Sequence, residues 1–393
     1  MAVDQVFFRE WTARRPGARR SLARARELAA KLDLVPLDLP VLAVVGSKGK
    51  GTAATYASAM LSAAGLRVVS VMSPGHRSNR DRLRVDGRAV SDSTFASLAA
   101  RLERAMDELP PVSDGYLSPA GLFTLAGLVH ARDVGADVAV LEAGMGGGSD
   151  EISLFPATVV AVTPIFGEHL GVLGDTVAEI ADEKAAVIVP ATRAAVSAPQ
   201  SAEVASVLGP VETAGSSPWD DLLPPGLGRA NARAGALAGL RLAEELGRPP
   251  AEARVREVLS SVVLPGRLSV HERDGVEVLV DSAINRAGVA SALSAARERW
   301  DSVDHVLVCL PDHKDLDGAI AELDGLPVTF VRLPHAHLRF SRPLPPSWDV
   351  LDAAELSVDG LRTRGRHVLA LGTVYFAGIV LDVLDADVER LFG

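Results

Sequence analysis

The sequence predicts an α/β protein of two domains: a parallel-sheet domain with a glycine-rich loop of the phosphate-binding (P-loop) type, then a smaller α/β domain. Three observations predict it. The chain has 393 residues, beyond the size at which a single hydrophobic core usually stops growing. Short apolar runs alternate with longer alanine- and leucine-rich stretches, the pattern of strand, helix, strand units that build parallel sheets. Finally, VVGSKGKGTAATY (44–56) sets two lysines and three glycines where a buried strand gives way to a helix.

The elements follow in order. Residues 21–36 read as an amphipathic helix and Leu42–Val45 as a short buried strand. A helix runs from Thr52 and is closed by Gly65 in the left-handed position, with a strand at 67–72 after it. Residues 82–90 alternate around Asp86-Gly87, a hairpin expected to form a small lid beside the loop. Helices fit 92–108 and 119–133, and buried strands fit Ala136–Leu141 and Ala157–Thr163. Both strands end in polar or glycine-rich segments, where ligands of open α/β sheets bind. A helix from Asp175-Thr176 to about Val187 and an alanine-rich helix at 230–246 complete the first domain. Pro249-Pro250 and Leu264–Arg267 supply stops, so the expected domains are 1–264 and 265–393. The second contains strands at 276–280, near 305–310, at 327–332 and at 367–371, with helices at 286–299 and around 376–390.

Composition excludes several classes. Hydrophobic residues make up 48% and charged residues 23%, an ordinary globular balance. No apolar run is long enough to span a bilayer and the N-terminus lacks the apolar region of a signal peptide, so a cytoplasmic location is expected. The single Cys309 rules out an intrachain disulfide and a cysteine zinc site. A net charge of -10 argues against general nucleic-acid binding. There are only five lysines, at 31, 48, 50, 184 and 314, against 35 arginines, which favours lysines kept for a compact ammonium or a nucleophilic amine.

The candidate site residues cluster at expected strand ends. Gly46, Ser47, Lys48, Gly49, Lys50, Gly51 and Thr52 approach the Walker pattern, with Gly51 between lysine and hydroxyl. Glycines let backbone N–H groups turn inward, Lys50 offers a point charge to phosphate, and Thr52 offers a hydroxyl to magnesium. Glu142 ends the run VAVLE ahead of AGMGGGSD, delivering a carboxylate suited to a hard cation. His169 follows the next strand. Lys184, among Ile180, Ala181, Val187 and Ile188, is either a neutral buried amine able to add carbon dioxide or a snorkelling lysine paired with Asp182 or Glu183.

At these residues the chain resembles the folylpolyglutamate synthase branch of the Mur ligase superfamily. The matching segments are GSKGKGT (46–52), SPGHRSNRDRLRVDGRAVSD (73–92), EAGMGGGSD (142–150), TPIFGEHLGVLGDT through IADEKAAVI, PGRL (265–268), DSAIN (281–285), DHKD (312–315) and GTVYFAG (372–378). The resemblance implies a Mur-ligase-type ATPase domain followed by a Rossmann-like domain. It further implies ATP held by Lys50, one magnesium among Thr52, Ser73 and Glu142, and a second supported by His169 and a carbamylated Lys184. Asn231, Arg267, Asp281 and Asn285 would approach the nucleotide, and Asp315, beside Lys314, would lie near the incoming amine. Its reaction is amide formation: a carboxylate takes the γ-phosphoryl group to give an acyl phosphate, and an amine or amino acid displaces phosphate. The catalytic set is then Lys50, His169, Lys184 and Asp315. A monomer or weak homodimer acting on small molecules, away from membranes, is expected.

Departures fall on substrate and nucleotide contacts. Relatives carry histidine at Ile284 and Gly75, arginine at Gly148, asparagine at Pro164, aspartate at Glu168 and glutamate at Gly121, and GRANARAG (228–235) replaces a histidine-glutamine segment. These changes point to a ligase acting on a non-folate acid. A folylpolyglutamate or dihydrofolate synthase, an ATPase or phosphotransferase, and a non-catalytic scaffold stand as alternatives.

Overall fold

A computed structural model describes residues 3–112, 115–334 and 338–393. The chain divides into two compact units. One holds the chain up to Gly75, Asn79–Val262 and Glu389–Gly393; the other holds His76–Ser78 and Val263–Val388.

In the first unit the elements are α1 Val3–Ala13, α2 Leu22–Lys31, β1 Val41–Val45, α3 Lys50–Ala63, β2 Val68–Val71, β3 Leu83–Val85, β4 Arg88–Ala89, α4 Asp92–Asp107, α5 Pro119–Asp133, β5 Val138–Glu142, β6 Val159–Val162, α6 Val177–Ala185, β7 Ala194–Ser197, α7 Ala202–Leu208, β8 Glu212–Thr213, α8 Gly228–Glu245 and α9 Glu252–Ser260. The eight strands form one sheet in the order β4-β3-β2-β5-β1-β6-β7-β8. From β2 to β8 all neighbours are parallel. Strands β1, β2, β5 and β6 are buried along their whole length, in keeping with runs made almost wholly of valine, alanine and leucine. Apolar clusters fill both faces of the sheet.

Central β1 lies between β5 and β6, with Val44 beside Glu142 and Val45 beside Val162. Gly46 therefore leaves β1 beside Thr163, while Glu142 ends β5 level with Val44, two positions earlier. Helix α8 crosses α3 closely: a Cβ on Gly235 would stand 2.1 Å from Ala53 O.

The expected lid is instead sheet edge. Strands β3 and β4 pair antiparallel and β3 continues onto β2, because the backbone of 83–85 finds partners in 69–71. The expected helix at 21–36 stops at Lys31, its C-terminal turn closed by Leu32 N–H to Leu28 O and Ala30 O. Helix α1 lies where the sequence suggested no element, anchored by Phe7, whose ring stacks on Phe123 at 4.1 Å.

The second unit comprises β9 Ser269–Arg273, β10 Val276–Asp281, α10 Arg286–Arg299, β11 His305–Cys309, α11 Leu316–Glu322, β12 Val328–Arg332, β13 Asp349–Asp352, α12 Val358–Arg362, β14 His367–Gly372 and α13 Val374–Val383. Its sheet runs β13-β12-β11-β14-β10-β9, parallel except for antiparallel β9 at one edge. Clusters on both faces make it a doubly covered sheet.

Candidate active site

The glycine-rich loop is shaped by two glycines that admit no side chain. Gly46 has φ +136° and Gly49 has φ +83°, backbone states that favour glycine. A Cβ on Gly46 would stand 2.0 Å from Thr163 Oγ1, and one on Gly49 would stand 2.1 Å from Asn231 Nδ2. Asn231 therefore supports the loop from α8; its Nδ2 donates to Leu227 O at 3.2 Å, and its buried Oδ1 has no hydrogen-bond partner. Ser47 is spent on structure: its hydroxyl donates to Phe166 O and accepts from Phe166 N–H, each at 3.2 Å, tying the loop to the segment after β6. Lys48 is exposed.

Two lysine amines converge on one carbonyl. Lys50, the first residue of α3, folds back to donate to Gly46 O at 3.1 Å and Ser47 O at 3.4 Å. Lys184 arrives from α6 and donates to the same Gly46 O at 2.9 Å. It is 1% exposed, which overturns the snorkelling alternative. Its salt-bridge partner is Glu168, at 3.5 Å, rather than Asp182 or Glu183. Burial, reinforced by the neighbouring Lys50 charge and opposed by Glu168, pushes the Lys184 ammonium down to about 8.

Glu142 closes the other side of the loop. It is 6% exposed, and its Oε2 accepts the Ser73 N–H at 2.8 Å. A Cβ on Gly51 would stand 3.6 Å from the same oxygen, so the carboxylate lies against the loop. Thr52 is buried beside it in α3. Among the described residues no three His, Cys, Asp or Glu side chains gather as a metal-binding group. The oxygen donors Glu142, Ser73 and Thr52 suit a hard cation that completes its shell with phosphate and water. Lys184 becomes an oxygen donor only as a carbamate. His169 is exposed, at φ +55°, on the loop after β6; Glu168, one residue earlier, reaches Lys184.

Arg82 was missed from sequence. Its Nη1 lies 3.5 Å from Ser73 Oγ, its Nε donates to Asn79 Oδ1 at 3.0 Å, and its guanidinium carbon stands 4.5 Å over the Phe123 ring. The arginine-rich run RSNRDRLR hides it, since nothing local separates it from Arg77, Arg80 or Arg84.

Two substrate positions that depart from the resemblance are closed by packing. A Cβ on Gly121 would stand 2.3 Å from Glu151 Cδ, so a buried carboxyl from another segment occupies that space. Burial, reinforced by Asp150 and opposed by Arg20, pushes Glu151 up to about 7. A Cβ on Gly148 would stand 2.7 Å from Ala186 Cβ.

In the second unit Asp281 ends β10 and its Oδ2 accepts Leu268 N–H at 2.9 Å. Burial raises its pKa, and Arg267, itself exposed, opposes the shift. Asn285 is the N-cap of α10, accepting Gly288 N–H at 2.9 Å. Asp315 caps α11 in the same way and its other oxygen accepts Arg286 N–H at 2.9 Å. Those backbone bonds hold its pKa below the usual carboxylate range. A carboxylate with both oxygens so engaged is a poor base, a physical reason against the catalytic role expected for Asp315.

No family profile matches the chain. The dihydrofolate synthase/folylpolyglutamate synthase of Escherichia coli is 30% identical over 331 residues, covering 78% of this chain and 75% of that protein. The chain belongs to the folylpolyglutamate synthase branch of the Mur ligase superfamily. A probable bifunctional folylpolyglutamate synthase/dihydropteroate synthase of Halobacterium salinarum is 31% identical over 342 residues, 78% of this chain and 41% of the relative. The chain spans less than half the length of the haloarchaeal bifunctional relatives it matches. The structure of Mycobacterium tuberculosis folylpolyglutamate synthase complexed with ADP superposes with a TM-score of 0.80 at 24% identity, covering 94% of this chain and 96% of that one. These relatives are named for folate chemistry, so the expectation of a non-folate acid finds no support. Among the described residues no helix is long and apolar enough to cross a membrane.

Proposed function

We propose that this chain is an ATP-dependent ligase of the folylpolyglutamate/dihydrofolate synthase type, joining a folate-class acid to glutamate through an acyl phosphate. The observation that carries the reading is the meeting of Lys50 and Lys184 at Gly46 O, with the buried Glu142 against Gly51. A triphosphate laid on the loop gives the Lys50 ammonium a better partner than the carbonyls it meets in the empty loop.

Lys50 then moves from the carbonyls to the phosphates and offsets the charge that builds as carboxylate oxygen approaches phosphorus. Arg82, held over Phe123 and beside Ser73, is assigned to the acid's carboxylate, which must be drawn toward an anion of like charge. Glu142, Ser73 and Thr52 would hold one magnesium, and Lys184 as its carbamate would support a second with His169. Magnesium supplies charge neutralisation across the phosphates. The carbamate forms when the neutral Nζ attacks carbon dioxide: an N–C bond is made, one C=O π bond opens and leaves its electron pair on oxygen, and one proton leaves the nitrogen. Burial favours that neutral amine near pH 8.

The test is release of ADP and phosphate by the purified chain given ATP with dihydropteroate or a reduced folate and glutamate. Turnover that needs all three supports the reading. ATP consumption that ignores acid and amine would instead favour an ATPase or phosphotransferase.

A further inference from the structure

The glycine-rich loop after Glu142 lies directly on α6, and four consecutive positions record the contact. A Cβ would stand 2.7 Å from Glu183 Oε1 at Gly146, 2.6 Å from Glu183 O at Gly147 and 2.7 Å from Ala186 Cβ at Gly148. Glu183 O accepts Gly148 N–H at 2.8 Å. Glu183 Oε1 accepts three more bonds: Gly147 N–H at 3.1 Å, Ser149 N–H at 2.8 Å and Ser149 Oγ–H at 2.6 Å. One carboxylate oxygen thus gathers donors from both sides of Gly148.

We propose that Glu183 is a positioning residue that sets α6 in register on this loop and so fixes Lys184 relative to Glu142. The inference rests on the reading above that these two side chains serve one triphosphate site. Lys184 is the next residue along α6, and its amine ends 2.9 Å from Gly46 O. The loop begins directly after Glu142, whose Oε2 is fixed by Ser73 N–H. The far end of the loop is tied separately: Asp150 Oδ2 accepts Met145 N–H at 3.0 Å and pairs with Arg20 at 2.9 Å, and Arg20 also donates to Met145 O. Glu183 is the side chain that joins the loop to the helix carrying the amine. Three donors converging on one acceptor oxygen fix the direction of that joint. Groups that orient a ligand without touching the metal characteristically change its affinity by about 10–100-fold when removed.

The experiment measures the Mg2+ concentration giving half-maximal binding of a non-hydrolysable ATP analogue, by calorimetry, together with kcat and KM. Glu183→Ala should raise that concentration by about tenfold. Glu183→Gln keeps an acceptor at Oε1 and should stay within about twofold of the parent, since geometry rather than charge is at issue. Gly148→Ala should act like Glu183→Ala by pushing α6 off the loop, and Ala186→Gly in the same chain should restore the parent behaviour by removing the methyl it meets. That pair decides the matter if Glu183→Ala does not fold. An unchanged Mg2+ dependence in Glu183→Ala, an equal loss in Glu183→Gln, or no rescue by Ala186→Gly overturns the inference. Glu142→Ala and Lys184→Ala separate the two levels: if neither disturbs Mg2+-dependent binding, the reading of the site fails as well; if both do, the fate of Glu183 stands alone.

Discussion

At the carboxyl end of β1, residues 46–52 make a loop from adjacent backbone, two left-handed glycines and a lysine four residues from the carbonyl it caps. At the N-terminus of α5, Gly121 faces a carboxyl delivered by Glu151, thirty positions later, with Arg20 and Asp150 closing around it. The first region is local and its chemistry is written in neighbouring letters. The second is assembled by packing between distant segments, and its chemistry follows from who fills whose space. A local motif survives as a pattern; a packed site can exchange its carboxyl between segments and leave no pattern behind.

The largest effect expected is on the local side. Lys50→Met should lower turnover by about 10²–10³-fold, as loss of a charge aimed at the reacting centre does, while leaving the melting temperature within a few degrees. Turnover within about threefold of the parent would show that the loop does not hold the reacting phosphate.

The contrast sharpens with two glycine substitutions read by urea unfolding. Gly49→Ala faces both φ +83° and Asn231 Nδ2 at 2.1 Å, and should cost about 2–4 kcal/mol. Adding Asn231→Ala relieves the space but not the backbone, so recovery should be partial. Gly121→Ala lies in a helix and its nearest neighbours are atoms of the Glu151 side chain, so its loss of about 1–3 kcal/mol should be largely recovered by Glu151→Ala. In that background alanine should even gain from its helix propensity. Equal recovery at both positions would erase the distinction between local and packed construction.

This is also where legibility ended. The order of strands and helices through α3, α4, α5 and α10 followed from apolar spacing and capping residues, because those signals act within a few residues. The convergence of Lys184 on Gly46 O was not in the spacing: it needs α6 laid against the loop 138 positions earlier, which only the parallel register of β1, β5 and β6 supplies. The family resemblance, carried by several ordered motifs, selected Lys184 where periodicity alone favoured a solvated lysine. Arg82 and Glu183 stayed hidden because each sits beside residues of the same kind, and only contact distinguishes them.

A third prediction concerns Lys184. An amine whose folded pKa falls from 10.5 to about 8 is already neutral in the native chain while the unfolded chain still binds the proton. Between those values the unfolded state carries more protons, so native stability relative to Lys184→Met should rise as the pH increases from 8 to 10.5. Carbon-13 bicarbonate should label the parent and not Lys184→Met, with a carbamate resonance that strengthens as the pH rises through about 8. Labelling of both chains to the same extent would remove Lys184 from that chemistry.

The smallest effect belongs to Glu151. Its folded pKa is raised from 4.5 to about 7, chiefly by burial, so between those values the native chain keeps a proton the unfolded chain has lost. Folding then takes up a proton, and stability falls as the pH rises across that window. Above about 7 the ionised carboxylate carries its full penalty in the folded state. Glu151→Gln removes the titration while keeping the shape against Gly121. The variant should therefore gain on the parent by about 2 kcal/mol between pH 5 and pH 8, measured by denaturant unfolding. Parallel profiles would mean that Arg20 holds the Glu151 charge as firmly as water does. The packed region would then be a settled ion cluster, and the carboxyl opposite Gly121 would be ionised throughout the working range. A diverging pair of profiles instead leaves a neutral acid beside the first turn of α5 near pH 6, able to donate a hydrogen bond as well as accept one.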